Sequence, residues 1–104
     1  MARMKYQTLT EQMFYVLLCL KKENCGIDIM KEVEVITNNR IKIGPGTLYI
    51  LLDKFVQAGF IQETKVENRK KSYLITNLGE ELLMNECNRL ETMLRDIKNY
   101  GTSS

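Results

Sequence analysis

Residues 42–76, KIGPGTLYILLDKFVQAGFIQETKVENRKKSYLIT, decide the fold of this 104-residue chain. Gly44 can cap a helix, and Pro45 suits the first helical position, where its missing N–H costs nothing. Leu48, Leu51, Leu52 and Phe55 then recur at the i, i+3, i+4, i+7 spacing of one buried helix face. Gly59 stands where a left-handed residue closes a helix. After it, Phe60–Thr64 and Ser72–Ile75 are rich in β-branched and aromatic residues with partial alternation, which predicts two short strands. Val66–Arg69 between them predicts a turn, with Asn68 able to take positive φ. Successive helical residues rotate by about 100°, so the face opposite the core stripe carries Gly46, Tyr49, Ile50, Asp53 and Gln57. Thr47 and Lys54 lie on its flank.

Upstream, Thr8-x-x-Glu11 fits a capping box and Thr10 is an equally good cap for a first helix. Leu9, Met13, Phe14, Leu17, Leu18 and Leu20 give that helix a broad apolar face, and Lys22-Glu23-Asn24 is its polar exit. Gly26 opens a second helix through Thr37, with Ile29, Met30, Val33 and Ile36 inward; Asn38-Asn39 ends it. Downstream, Thr76 caps a last helix over 77–100. Leu83, Cys87, Leu90, Leu94 and Ile97 are spaced 4, 3, 4, 3 along it, a short heptad seam widened by Leu82, Met93 and Tyr100. At about 1.5 Å per residue this helix is about 35 Å long. The preceding residues cannot cover that length, so part of the seam requires another chain. Residues 101–104 read as a frayed tail.

These elements predict a mainly α (α+β) fold: a winged helix-turn-helix with a two-stranded wing, followed by a long C-terminal dimerisation helix. Residues 1–76 form the head and 77–104 the helix and tail. The formal net charge is only +2, but it divides unevenly. Residues 1–76 hold twelve Lys/Arg and eight Asp/Glu, whereas 77–104 hold three and five. Lys65, Arg69, Lys70 and Lys71 against Glu67 concentrate positive charge in the hairpin, and for a phosphate-binding surface the location matters more than the total. No apolar run approaches eighteen residues, and Met1–Lys5 lacks the features of a secretory signal, which predicts a cytoplasmic protein away from membranes. Three cysteines without a CxxC pair are a poor basis for disulfides, and Cys19 and Cys87 fall on apolar helix faces as small hydrophobes. The chain has no histidine, the commonest general base and metal ligand. Gly44-Pro45-Gly46-Thr47 lacks the lysine of a phosphate loop. We therefore expect no catalysis, no cofactor and no metal.

The third helix of such a fold enters the major groove of double-stranded DNA, which admits an α-helix. Its free N-terminal N–H groups favour a phosphate. Gly44 and Gly46 let the backbone approach, Thr47 and Tyr49 offer hydroxyls, Lys42 and Lys54 offer charge, and Ile50 suits a thymine methyl. Arg69, Lys70 and Lys71 at the hairpin tip reach phosphates or the minor groove. Each has a plainer alternative. Tyr49 also reads as flanking the core, Lys54 as a solvated charge, the two glycines as capping alone, and a charged edge hairpin as a guard against aggregation. Two rival readings of the whole chain stand beside DNA binding. One is a winged-helix module that docks a protein through Tyr49 and Ile50; the other is a metal sensor of the same fold.

Taken in order, the motifs resemble the PadR family of bacterial transcriptional regulators. The carrying stretches are Leu9–Leu17, Gly26–Val33, Ile43-Gly44-Pro45-Gly46-Thr47-Leu48-Tyr49, Gly59-Phe60-Ile61, Arg69–Tyr73 and Leu74–Gly79, within residues 9–97. The segment around Gly-Pro-Gly-Thr-Leu-Tyr is the most specific. The resemblance implies a homodimeric repressor of palindromic operators, with Leu83, Cys87, Leu90, Leu94 and Ile97 in the dimer contact. It also implies release by a small aromatic effector. A single C-terminal helix resembles the short subfamily, which includes multidrug-responsive members. Two features depart from the family pattern. Cys25-Gly26-Ile27-Asp28 stands where the family often has His-Gly-Tyr-Glu, and there is no tryptophan to stack a flat drug, leaving Phe14 and Tyr100 as aromatics.

Overall fold

Local chemistry fixes most helix ends in the computed structural model, which describes residues 8–102. Ser103 and Ser104 of the expected tail, and the Met1–Lys5 start, lie outside the described residues. Helix α1 spans Glu11–Cys19. Thr10 alone caps it, accepting the Met13 N–H at 3.1 Å, so the Thr8-x-x-Glu11 box is not the one used. The helix ends before the polar exit expected for it, because the Leu20 N–H turns back to the Leu17 carbonyl at 3.0 Å. Helix α2 spans Gly26–Ile36. Its inner row is Ile29, Val33 and Thr37, at i, i+4, i+8, whereas Ile36, expected inward, is 50% exposed. Thr37 is buried because its hydroxyl donates to the Val33 carbonyl at 2.8 Å and accepts the Ile41 N–H at 3.1 Å. Asn38 and Asn39 then take φ of 56° and 65° and turn the chain.

Helix α3 spans Pro45–Ala58, with Gly44 as N-cap and Gly59 closing it at φ 85°. Leu48, Leu52 and Phe55 are fully buried, and Leu51 packs at the edge of the core. A sheet of three antiparallel strands follows in the order β1-β3-β2, where β1 is Asn24–Cys25, β2 is Ile61–Glu67 and β3 is Lys70–Ile75. The expected two-stranded wing is present as β2 and β3, both longer than predicted. The third strand, β1, has only two residues, too few for any alternation to be visible. It pairs Asn24 with Tyr73 and Cys25 with Ser72. Asn24 is buried there, its side-chain amide donating to the Cys19 carbonyl and Glu32, each at 3.1 Å.

Helix α4 spans Asn77–Thr102, 26 residues or about 39 Å. Thr76 ties its start to the end of α3. The Thr76 hydroxyl accepts the Gly79 N–H at 3.1 Å and donates to the Gly59 carbonyl at 2.6 Å. Gly79 is buried against Phe60, just before β2, at a distance no other residue tolerates: a Cβ there would lie 2.1 Å from the Phe60 carbonyl oxygen. That contact lets the first turns of α4 insert Leu82 and Leu83 into the core shared with Leu17, Leu20, Phe55 and Ile61. Beyond Leu90 every residue of the helix through Gly101 is exposed.

Candidate nucleic-acid interface

The start of α2, the outer flank of α3 and the tip of the β2–β3 hairpin surround an open cleft of about 510 Å³. It is lined by Cys25, Gly26, Ile27, Tyr49, Asp53, Arg69, Lys70, Lys71 and Tyr73. Four of the ten residues expected to meet DNA therefore come together: Tyr49, Arg69, Lys70 and Lys71. The other six do not line the cleft but are all exposed. Lys42 is in the loop before α3, Gly44, Gly46 and Thr47 surround its N-terminus, and Ile50 and Lys54 lie on its outer surface.

No side chain caps α3, which leaves its first N–H groups facing outward with the positive end of the helix dipole. A Cβ on Gly44 or Gly46 would meet nothing within 4 Å. Nothing inside the chain demands glycine at these positions. A large body approaching the helix end would find the backbone uncovered.

The hairpin turns on two residues, Asn68 at φ 51° and Arg69 at φ 67°. Two left-handed residues match the twist of paired strands, and Asn-Gly is the favoured sequence for such a turn. Here arginine occupies the glycine position, at a local cost of about 1 kcal/mol. The tip thus keeps a long cation where a smaller residue would fold more easily. Arg69, Lys70, Lys71, Lys42 and Lys54 form no ion pair among the described residues. Lys65, counted with them from sequence, is different: Glu23 and Glu67 hold it at 3.9 and 3.8 Å. The uncompensated charge of the wing is therefore Arg69–Lys71.

Two contributors escaped the sequence reading. Gly26 was legible only as a helix start, yet a Cβ there would sit 2.6 Å from the Tyr49 hydroxyl and 3.0 Å from the ring. It is the floor on which Tyr49, 44% exposed, lies. Tyr73 is buried at the back of the cleft. Burial first, then the charges of Glu63, Asp53 and Tyr49, raise its hydroxyl pKa. Alternation marks Tyr73 only as a strand residue and nothing local marks either one's place in the cleft, because both matter through contacts between distant segments.

The seam on α4 divides. Leu83 is 5% exposed and belongs to the head's own core, so it has little surface left for a partner. Cys87 is half-buried, and Leu90, Met93, Leu94 and Ile97 are exposed. A second groove of about 220 Å³ lies between α1 and this helix, lined by Phe14 and Tyr15 with Glu86, Arg89 and Leu90. Glu86 is 3% exposed. The hydrogen bond from Arg89 holds its carboxyl below the usual glutamate range, against the opposing effect of burial.

All three cysteines are free. Burial, assisted by Glu32, pushes the Cys19 thiol up to about 11, which makes it a packing residue rather than a nucleophile. Among the described residues no group of three potential ligands could hold a metal, and no helix is long and apolar enough to cross a membrane.

Residues 16–85 match the model of the transcriptional regulator PadR-like family. No curated protein sequence matches the chain. Among solved structures, a transcriptional regulator from Clostridium thermocellum superimposes with a TM-score of 0.74 at 23% identity, over 85% of this chain and 90% of that one. RosR of H. salinarum gives 0.64 at 22% identity over 88% and 96% of the two chains. A PadR-like transcription factor from Bacteroides fragilis gives 0.65 at 23% identity over 88% and 87%. At these identities the structural neighbours speak for the fold.

Proposed function

This chain belongs to the PadR-like family of transcriptional regulators, and on that premise we propose that it is a homodimeric repressor of a palindromic operator in double-stranded DNA. The observation that carries the reading is the meeting of Tyr49 with the unpaired Arg69, Lys70 and Lys71 on one exposed face. Helix α3 enters the major groove with Thr47 and Ile50 toward the bases, and with the Tyr49 hydroxyl and its N-terminal N–H groups toward phosphates. The hairpin carries its cations to the flanking backbone. Lys42 in the loop before the helix and Lys54 on its outer surface add charge.

In this reading the DNA-binding unit ends at Thr76 and the helix from Asn77 onward supplies the dimer contact. Leu90, Leu94 and Ile97 form an apolar row that the single chain leaves uncovered, with Cys87 at its inner end. Two copies joined along that row present two α3 helices, as an operator of two half-sites requires. For release by a small aromatic effector, the groove walled by Phe14 and Tyr15 is the aromatic surface beside the dimer helix.

Selection of random duplexes by the full chain tests the proposal. The expected product is a palindrome with half-sites about one helical turn apart. Each phosphate contact contributes about 0.9 to the slope of log affinity against log salt. Replacing Arg69, Lys70 and Lys71 by alanine should lower that slope by about 2.7 per protomer. An unchanged slope removes the wing from the contact. Retention of no duplex even at low salt overturns the DNA reading and leaves Tyr49 and Ile50 to a protein partner.

A further inference from the structure

Asp53 is the charged residue of the outer α3 face to which the contacts above give no role. It is exposed, one turn beyond Tyr49, and lines the same cleft as Arg69, Lys70 and Lys71. It forms no ion pair with them or with any other cation among the described residues. After burial and Glu63, its charge also helps to raise the Tyr73 hydroxyl pKa, so the carboxylate acts toward the inside of the cleft, between helix and hairpin.

A carboxylate only accepts hydrogen bonds, and so does a phosphate. Asp53 therefore opposes backbone contact at the centre of a surface otherwise suited to it. The donors a duplex shows in its major groove are base amino groups, cytosine N4 and adenine N6. Adenine N6 lies between two acceptors, its own N7 and thymine O4. Cytosine N4 has one acceptor beside it, guanine O6, and a C5–H on the other side. A carboxylate oxygen meets less repulsion at cytosine, and at guanine or thymine it would face acceptors alone.

Resting on the DNA reading above, we infer that Asp53 is a specificity-determining residue that accepts a hydrogen bond from the N4 amino group of one cytosine in each half-site. The charge of the wing raises affinity for any sequence; Asp53 lowers it everywhere except at that base pair.

The test is duplex selection by the full-length wild type, Asp53→Asn and Asp53→Ala. Wild type should enrich cytosine at one position of each half-site. Asp53→Asn should move that position to adenine, because a side-chain amide pairs with adenine N6 and N7 together. Asp53→Ala should accept all four bases there, losing roughly tenfold discrimination, with its salt slope unchanged. Separately, N4-methylation of that cytosine should weaken wild-type binding and leave Asp53→Ala unaffected. Enrichment by wild type with the same base preference in both variants overturns this inference alone. Absence of any enrichment by wild type overturns the DNA reading and this inference with it.

Discussion

Gly26→Ala should separate stability from DNA binding. The added Cβ would lie 2.6 Å from the Tyr49 hydroxyl, whereas ordinary contact begins at 3.4 Å, so the oxygen must retreat about 0.8 Å. Tyr49 is a side-chain end with 44% of its surface free, and it can make that movement within its rotamer well. Gly26 does not adopt positive φ, and alanine in a helix gains roughly 0.5–1 kcal/mol over glycine. The variant should therefore unfold in urea within about 1 kcal/mol of wild type. DNA binding should respond differently. A tyrosine hydroxyl bonded to phosphate at about 2.8 Å and displaced by about 0.8 Å no longer makes a hydrogen bond. Bonds to charged groups are worth about 1.5–3 kcal/mol, so affinity should fall at least about tenfold. Fluorescence anisotropy on a selected duplex measures this loss. Tyr49→Ala should lose a similar amount, and Gly26→Ala in that background should lose nothing more. Wild-type affinity for Gly26→Ala, or a full second loss in the double variant, would refute the role given to Tyr49.

Gly79→Ala should behave in the opposite way. Its Cβ would meet the Phe60 carbonyl at 2.1 Å and Ile75 Cγ1 at 2.7 Å, and backbone cannot swing aside. A loss of about 3 kcal/mol is expected in urea unfolding, and a midpoint like that of wild type would contradict the packing. Arg69→Gly should relieve the φ 67° turn residue and hold or raise stability by up to about 1 kcal/mol, while reducing the salt slope by about 0.9 per protomer. An unaltered slope would show that Arg69 does not reach phosphate. Glu86 has a depressed pKa in the fold, so its contribution is present above the unfolded value and is lost as pH falls through the folded one. Arg89→Gln removes the largest cause of that depression and leaves burial, which pushes the carboxyl upward, opposed only by the backbone hydrogen bond at Leu9. Its loss in melting temperature should be largest at neutral pH and shrink in acid; a deficit independent of pH would reject the pair as the origin.

Much of the head was legible because its signals are local. Gly44, Pro45 and Gly59 delimit α3 by backbone chemistry, and Leu48, Leu52 and Phe55 mark its buried face by period. The seam on α4 was legible as a pattern, but not in where it passes from the head's core to free surface. Leu83 and Leu90 carry the same side chain at equivalent heptad positions. Only the packing of Gly79 against Phe60 decides that the first is covered and the second is not. Ile36 and Thr37 show the same limit: hydropathy favoured the isoleucine, and two hydrogen bonds inside the fold favoured the threonine.

By itself the sequence determined the four helices, the two wing strands, their order and the basic hairpin after the third helix, since caps, turns and periodic faces act over a few residues; strand β1 came only with the fold. The tertiary structure decided which charges stay uncompensated, because Glu23 reaches Lys65 only after folding while Arg69–Lys71 form no ion pair among the described residues. It also decided that Gly26 supports Tyr49 and that Asp53 stands among cations without pairing with them. Those relations join α2, α3 and the hairpin across long separations in the chain. No local pattern encodes a distance between segments that only the shared core brings together.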